Sequence, residues 1–427
     1  MKNFDFENMP IVEIVNEVII DAVNQGASDI HFDPTSDDLK LRIRIDGILS
    51  DYAVIPSKYK KNMISRIKMI ASMNIMETRL PQDGAIKRSI DNKILDLRVS
   101  SLPTNNGEKI VIRILDYSKS YQGLDNLGFS EEALEKINKM ISVPNGIILV
   151  TGATGTGKST TVYSILQKLN TEDVNIITVE DPIEMDIAGI NQVQVQSEIG
   201  LTFASVLRSV LRQDPNIIMI GEIRDDETAR IAVRASITGH LVLSTIHTNN
   251  SLNTIERLTD MNVERYLLSS ALTGVISQKL ARTLCSSCKE KRATTPYEKQ
   301  VFKTVLNKDV LEMYVPHKDG CEACTHGYRG RLAVLEVLII NDNIKEAIVN
   351  TQSKKELRKL VYTSDVITLL QDGLQKVLKG ETSFEEILKI VDLENDLTKY
   401  EDDNLKENIR ISTLKNNEKE NLEEINL

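Results

Sequence analysis

The ten residues GATGTGKSTT at 152–161 constrain this chain more than any other stretch. They match the pattern G-x-x-x-x-G-K-[ST], in which glycines allow a tight turn that directs backbone N–H groups at one anion. An apolar run at 147–150 precedes the turn and predicts a buried strand, and residues 159–169 predict a helix. A strand, a glycine-rich turn and a helix N-terminus together favour phosphate binding over the alternative, a chance glycine-rich turn.

Individual residue types in this loop have distinct predicted tasks. Lys158 supplies a point charge for the β- and γ-phosphates, and the Ser159 hydroxyl can ligate Mg²⁺. The residues predicted to contact the nucleotide are Gly152, Ala153, Thr154, Gly155, Thr156, Gly157, Lys158, Ser159 and Thr160. The chain is therefore predicted to bind a nucleotide, and the open question is what the nucleotide drives.

The composition narrows the class of protein. The 427 residues suffice for two or three domains, and a hydrophobic content of 41% suffices for packed cores. No apolar run approaches the ~20 residues of a membrane span. Segment 1–10 lacks the features of a secretory signal, so we expect a cytoplasmic protein that can dock on a membrane through a partner. A net charge of −10 and 4% aromatic residues argue against a nucleic-acid-binding surface.

The residues before the phosphate loop predict a small α+β domain over 11–115, after a tail at 1–10. Residues 11–23 carry one apolar helical stripe, and 58–76 also predict a helix. Segments that alternate or are rich in β-branched residues predict strands at 39–45, 94–102 and 109–115. A polar stretch at 116–127 predicts a linker.

After the linker, strands and helices alternate, which is typical of an α/β sheet with helices on its faces. Strands are predicted at 147–150, 175–179, 190–195, 217–220 and 241–246. Helices are predicted near 131–141, 159–169, 204–212 and 226–236. The predicted divisions are a nucleotide-binding core at 128–280, a cysteine module at 281–330, a helical subdomain at 331–393 and a charged tail at 394–427.

The helical subdomain and the tail differ in composition. Residues 343–392 carry Leu and Ile stripes and predict three or four short helices. The tail holds ten acidic residues, five basic residues and seven Asn, for which we expect disorder or a lone solvated helix. The tail accounts for −5 of the net charge of −10.

Polar residues end three of the predicted strands, and the carboxyl ends of parallel strands meet at one edge of a sheet. Glu222 ends an apolar strand that we expect beside the phosphate loop, and it is the candidate for positioning or activating the attacking water. Glu180 and Asp181 offer further acids, also for Mg²⁺. His247 could sense the γ-phosphate or bridge to a neighbouring subunit. The respective alternatives are a strand-end salt bridge, a solvated turn and a structural histidine.

The front domain is rich in arginine, whose planar guanidinium makes bidentate phosphate contacts. The candidates are Arg42, Arg44, Arg79, Arg88, Arg98 and Arg113. ATPases often recruit such residues from another domain, but arginine is also common on surfaces, so the pattern selects no single one.

All four cysteines lie in two Cys-x-x-Cys pairs, at Cys285, Cys288, Cys321 and Cys324. In a cytosolic chain this pattern indicates metal ligation and not disulfides. Four thiolates suit a closed, structural, tetrahedral Zn²⁺ site, with a redox or iron–sulfur site as the alternative. We expect an inserted helical hairpin at 296–315 to fill the 32-residue gap between the pairs.

These motifs, in this order, resemble those of the type II secretion and type IV pilus assembly ATPases, the GspE/PilB-like motors, over residues 11 to 392. The matching blocks are ASDIHFDP (27–34), LRIRIDG (41–47), RLPQDG (79–84), LDLRVSSLP (95–103), GATGTGKSTT (152–161), ITVEDPIE (177–184), LRQDPNIIMIGEIRD (211–225), TGHLVLSTIHTN (238–249) and the four cysteines. The resemblance implies a RecA-like P-loop ATPase core preceded by a small PAS-like α+β domain, with a zinc module and C-terminal helices. It also implies a homohexamer that uses ATP, Mg²⁺ and Zn²⁺ at the cytoplasmic face of the inner membrane, where a platform protein couples it to pilin or pseudopilin extrusion.

The resemblance also assigns roles. Lys158 and Ser159 match Walker A, Glu222 matches the catalytic glutamate of Walker B, and His247 matches the His box. Glu180 and Asp181 match the Asp box, which makes Glu180 a predicted catalytic residue and Asp181 a predicted nucleotide-binding residue. The front-domain arginines that match those reaching the phosphates are Arg79, Arg98 and Arg44. The zinc ligands match Cys285, Cys288, Cys321 and Cys324.

The chain departs from the family in three places. It begins near the second domain of the long members, so we expect their N-terminal docking mode to be absent. Ala85 follows RLPQDG where an arginine is common, and the 394–427 tail has no counterpart. An assembly motor is the first hypothesis. The alternatives are a retraction motor, whose relatives normally lack the cysteine module, a hexameric nucleic-acid translocase and a non-hydrolysing ATP-binding scaffold.

Overall fold

The computed structural model describes residues 1–90, 93–116, 123–350 and 353–391. The chain divides into two units, one before and one after the boundary between Tyr121 and Gln122. The predicted tail at 394–427 and residues 117–122 of the predicted linker lie outside the described residues. None of the described helices is both long and apolar enough to span a membrane.

The first unit is an antiparallel sheet with two helices. Its strands are β1 (Asp29–Pro34), β2 (Asp38–Ile45), β3 (Ile48–Pro56), β4 (Gln82–Ile90), β5 (Lys93–Thr104) and β6 (Gly107–Asp116). They lie in the order β3-β2-β1-β6-β5-β4, and every neighbouring pair is antiparallel. The helices are α1 (Ile11–Asn24) and α2 (Ser57–Ile70).

The core of this unit forms where alternating strand residues meet the apolar stripe of α1. Ile14, Val18 and Ile19 of α1 are fully buried, as are Ile30 and Phe32 of β1. They belong to one hydrophobic cluster, so one sheet face and the helices share a single core.

The predicted front-domain elements need two corrections. The helix expected over 58–76 ends at Ile70, because the backbone turns at Ser72, where φ is +59°. Three further strands, β1, β3 and β4, complete the sheet.

The second unit is built on a seven-stranded sheet. Its strands are β7 (Gly146–Thr151), β8 (Ile176–Glu180), β9 (Asn191–Gln194), β10 (Ile217–Ile220), β11 (Leu241–Ile246), β12 (Leu272–Leu284) and β15 (Tyr328–Ile339), in the order β15-β12-β7-β11-β10-β8-β9. All neighbours are parallel except β12 and β15. β7, β10 and β11 are buried along their whole length, as expected for strands covered on both faces.

The second unit also contains helices before, between and after its strands. They are α3 (Glu131–Ile141), α4 (Lys158–Leu169), α5 (Phe203–Val210), α6 (Asp226–Ile237), α7 (Ser251–Asp260), α8 (Arg265–Ala271), α9 (Pro296–Leu306), α10 (Asp342–Asn350), α11 (Lys354–Thr363), α12 (Leu369–Leu378) and α13 (Phe384–Ile390). The last four confirm the predicted C-terminal helices.

The cysteine module differs from its prediction. The expected helical hairpin at 296–315 is one helix, α9, followed by the strand β14 (Glu312–Val315). β14 pairs antiparallel with β13 (Glu290–Ala293), which satisfies backbone groups that a second helix would have satisfied internally. The predicted core boundary at residue 280 falls inside β12, so the sheet continues past it.

Candidate nucleotide and metal sites

The loop between β7 and α4 has the backbone of a phosphate cradle. Gly155 and Gly157 have φ of +79° and +85°, and Gly157 directly precedes α4. Residues with a Cβ rarely adopt such values. At Gly152 a Cβ would come within 2.4 Å of the backbone oxygen of Gln278. Backbone conformation and packing therefore both require glycine in this loop.

Lys158 lies across the start of the loop. Its Nζ donates to the carbonyl oxygens of Gly152 at 2.8 Å and Ala153 at 2.9 Å, and the residue is buried. Burial lowers the pKa of Lys158, while the charges of Glu222 and Glu184 act in the opposite direction. A cation held at a helix N-terminus can bind phosphate oxygens.

The hydroxyl residues of the motif lie at the start of α4. Ser159 and Thr160 are its second and third residues and are half-buried, whereas Thr154 is exposed in the loop. A hydroxyl at this position is an oxygen ligand of the kind that Mg²⁺ accepts.

The strand that carries Glu222 is not beside the strand of the phosphate loop. β11 lies between β7 and β10, so the expected adjacency is wrong. Strand order in a sheet does not follow chain order, because helices can carry the chain across a neighbour. The strands beside β7 are β12 and β11, and His247 directly follows β11.

Glu222 sits between an arginine and a histidine side chain. Nη2 of Arg224 donates to Oε1 of Glu222 at 2.5 Å, and Nε2 of His247 lies 3.4 Å from Oε2. Burial raises the pKa of Glu222, but the hydrogen bond and charge of Arg224, aided by His247, hold it below its ordinary value. The structure therefore brings Glu222 and His247 together as the sequence predicted. Arg224 was not predicted, although it lies only two residues after Glu222.

Glu180 has different surroundings. The hydroxyl of Tyr163 donates to Oε2, and Oε1 accepts hydrogen bonds from Thr178 Oγ1 at 2.6 Å and Gln192 Nε2 at 3.0 Å. The residue is only 3% exposed. Asp181, the next residue, is exposed, and its Oδ2 lies 4.0 Å from Nη1 of Arg224. Asp181 thus faces the Arg224–Glu222 pair, and Glu180 is held by uncharged donors.

The predicted arginines belong to the first unit, and their role at the nucleotide stays a prediction. Arg79 is highly exposed and makes a bidentate contact with Glu77, at 3.1 and 2.8 Å. This contact lowers the pKa of Glu77 to about 2. Arg98 lies in register between Ala85 and Arg113.

The third predicted arginine, Arg44, has partners within its own sheet. Its Nη1 donates to the carbonyl oxygen of Gly47 at 2.8 Å, and its Nε lies 3.9 Å from a carboxylate oxygen of Asp29.

The four cysteines converge directly after β12. Their sulfur atoms all lie within 4.8 Å of one another, and the pairs Cys285–Cys321 and Cys288–Cys324 are 3.8 and 3.6 Å apart. Disulfide sulfurs are only ~2.05 Å apart, so these are thiols. Four Zn–S bonds of ~2.3 Å in a tetrahedron place sulfurs ~3.8 Å apart. The cluster is therefore compatible with zinc.

The sequence is similar to proteins of one family along almost its whole length. The family described as type II/IV secretion system protein matches residues 5–389. A type II secretion system protein E of Xanthomonas campestris pv. campestris is 46% identical over 383 residues, which cover 90% of this chain and 68% of that protein. A type IV pilus assembly ATPase PilB of Myxococcus xanthus is 45% identical over 385 residues, with the same two coverages.

A solved structure supports the same assignment. The pilus retraction motor PilT, crystallised with ADP, matches with a TM-score of 0.60 and 25% identity, covering 90% of this chain and 98% of that one. This match confirms the predicted RecA-like core. The phosphate loop, the acids after β8 and β10 and the relatives at 45–46% identity all indicate the same class of enzyme. The chain therefore belongs to the type II/IV secretion system protein family as an ATP-hydrolysing member.

Proposed function

We propose that this ATPase is a homohexameric motor that powers assembly of a type IV pilus or a type II secretion pseudopilus. It would work at the inner face of the cell membrane, by pushing on a platform protein that extrudes pilins. The observation that carries the proposal is the 45–46% identity to proteins named for pilus assembly and type II secretion. The similarity to the retraction motor PilT is lower, at 25%.

The chemistry follows from the edge of the second sheet. Lys158 and the N–H groups of the loop bind the β- and γ-phosphates of ATP. Ser159 would hold Mg²⁺, which would neutralise charge on the phosphates. Glu222 orients the attacking water and accepts its proton. His247, in contact with Glu222, senses whether the γ-phosphate is present. Asp181 supports the metal side of the site.

The front-domain arginines supply the remaining charge in this proposal. Arg79, Arg98 and Arg44 stabilise the transferring phosphoryl group, and their release after hydrolysis would drive the motion of the motor. Replacing Arg98 by Ala tests this step. We expect kcat to fall by ~10³-fold or more, with Lys87→Ala of β4 as the control. An unchanged kcat for Arg98→Ala would remove this residue from the mechanism.

A stimulation assay tests the proposed motor. ATP turnover is measured alone, with the cytoplasmic domain of the platform protein, and with double- or single-stranded DNA. We expect stimulation by the platform domain and none by DNA, because the chain carries a net charge of −10. Stimulation by DNA alone would favour the nucleic-acid translocase. Light scattering with a non-hydrolysable ATP analogue measures the mass, and a particle other than six chains would contradict the ring.

The retraction alternative needs a cellular test. A strain that lacks the encoding gene should lose its pili or its type II secretion if the protein is an assembly motor. Excess pili would favour the retraction motor.

The cysteine cluster is proposed to hold one structural Zn²⁺, which would fix the ends of the module. We expect Cys285→Ser to lose the metal, measured by atomic absorption, and to melt at a lower temperature. Ser286→Ala is the matched control, since it changes a neighbouring residue outside the cluster. Full metal content in Cys285→Ser would contradict the site.

A further inference from the structure

Gln278, on the strand β12, makes two hydrogen bonds to the phosphate-loop region through its side-chain amide. Its Nε2 donates to the backbone oxygen of Thr156 at 2.7 Å, and its Oε1 accepts from Thr161 Oγ1 at 2.7 Å. The residue is 3% exposed. Thr156 belongs to the loop and Thr161 to the first turns of α4, so one side chain joins both parts of the cradle.

The register of the sheet explains why Gln278 reaches the loop. Ser277 pairs with Thr151, the last residue of β7, so Gln278 is the first residue of β12 beyond that strand. Its main chain closes on the loop as well as its side chain. A Cβ at Gly152 would meet the Gln278 backbone oxygen at 2.4 Å, and a Cβ at Gly157 would meet Nε2 at 2.8 Å.

The hydrogen bond to Thr156 fixes the direction of a neighbouring N–H. In a planar trans peptide the C=O of one residue and the N–H of the next point in opposite directions. With the Thr156 carbonyl held at Gln278, the N–H of Gly157 must point away from Gln278. The positive φ of Gly155 and Gly157 marks a backbone in which this peptide could otherwise rotate, because glycine tolerates both orientations.

We propose that Gln278 is a positioning residue of the ATPase site, which sets phosphate affinity by locking the Thr156–Gly157 peptide. The anion in a phosphate loop is held by converging N–H groups, and one reversed peptide replaces a donor by a repelling carbonyl. Gln278 does not touch the substrate and acts through the loop. The proposal rests on the proposed nucleotide site at 152–160.

The primary test is Gln278→Met, which keeps the side-chain length and removes both hydrogen bonds. We expect the Kd and KM for Mg·ATP to rise by roughly tenfold or more, with a smaller change in kcat. Lys279→Met is the matched control on the next residue of the strand, where Nζ bonds only the carbonyl of Ile390 among the described contacts. Its Kd should equal that of the wild type.

Two further variants separate the two hydrogen bonds. Gln278→Glu keeps an acceptor for Thr161 but cannot donate to Thr156, so its Kd should rise at least as much as that of Gln278→Met. Thr161→Val leaves the bond to Thr156 in place and removes the Thr161 hydroxyl, which donates to Gln278 at 2.7 Å and to the Gly157 carbonyl at 3.3 Å, and it should raise the Kd less. If Gln278→Met fails to fold, these two variants still test whether the hydrogen bonds of Gln278 set the affinity for Mg·ATP.

Three outcomes would overturn the proposal. One is a wild-type Kd for Mg·ATP in Gln278→Met or Gln278→Glu. Even if the variant also melts at a lower temperature, this result would give Gln278 a purely structural role. Another is an equal rise in Lys279→Met. The third is a loss in kcat alone. Lys158→Ala distinguishes the proposals: if it leaves ATP binding intact, the site itself is wrong, and if it abolishes binding while Gln278→Glu does not weaken it, only the Gln278 proposal fails.

Discussion

The ends of two adjacent strands, β8 and β10, each carry a glutamate, and the two carboxylates have opposite surroundings. Glu180 is nearly fully buried and accepts hydrogen bonds from Tyr163, Thr178 and Gln192. Glu222 is partly exposed and lies between the guanidinium of Arg224 and the imidazole of His247. The electric field of Glu222 reaches Lys158, where it opposes the lowering of the lysine pKa.

This difference teaches how one sequence pattern serves two purposes. A carboxylate whose two oxygens are occupied by fixed neutral donors is suited to hold structure, here between α4 and β8. A carboxylate paired with a long, exposed arginine side chain can release that partner and accept a hydrogen bond from water instead. We therefore expect Glu222 to act in the chemistry and Glu180 to act mainly on the stability of the site.

Among the variants at the two strand ends, Glu222→Gln has the largest expected effect. The amide keeps the shape of the side chain but cannot accept a proton, so kcat for ATP should fall by at least ~10²-fold while ATP still binds. Steady-state turnover and equilibrium ATP binding are the measurements. An unchanged kcat would show that Glu222 does not act in the chemistry.

Glu180→Gln tests the other strand end. The amide replaces one acceptor oxygen by a donor, which leaves a buried polar group without a proper partner and lowers the free energy of unfolding by about 1–3 kcal/mol. Denaturant unfolding measures this loss. We expect the loss in kcat to be far smaller than in Glu222→Gln. A 10²-fold loss in kcat without destabilisation would instead support the catalytic role predicted from sequence.

Tyr163→Phe tests one of the hydrogen bonds that hold Glu180. The phenyl ring preserves packing but removes the donor to Glu180 Oε2. We expect destabilisation of about 1 kcal/mol, less than in Glu180→Gln, because two donors still hold the other oxygen. Loss of the tyrosine hydroxyl without any change in unfolding free energy would show that Glu180 does not depend on this contact.

Arg224→Met gives the smallest effect at neutral pH. Because the Arg224 side chain is 62% exposed, its ion pair with Glu222 is screened by water and worth ~1 kcal/mol or less, so kcat should change less than about fivefold at pH 8. Removing the cation raises the pKa of Glu222, and the carboxylate acts as a base only when ionised. The acid limb of the kcat/KM profile should therefore move to higher pH. A shift to lower pH would contradict the assigned base.

The periodic elements of the core could be read from the sequence. The strands at 217–220 and 241–246 and the helix at 131–141 have the predicted bounds, because continuous apolar runs and single apolar stripes mark them clearly. The predicted fold class and family were also confirmed, because nine motifs in one order are typical of few protein families.

Other parts could not be predicted, and the reasons are physical. Strand order depends on which neighbour each strand meets in space. The local sequence pattern therefore does not show that β11 lies between β7 and β10. Gln278 lies 120 residues beyond Lys158 and belongs to no short motif. β14 was predicted as part of a helical hairpin. Its four residues are too few to show the alternating pattern of a strand, and its strand conformation comes from pairing with β13.

One strand, β12, joins the two candidate sites. Gln278 contacts the phosphate loop, and Cys285 directly follows the last residue of the strand. Seven extended residues span ~23 Å, and hydrogen bonds to β15 stiffen that length. A spectroscopic label or a paramagnetic metal at the cysteines would thus keep a constant separation from the nucleotide during turnover. The thiol cluster therefore offers a fixed origin for distance measurements within the second unit.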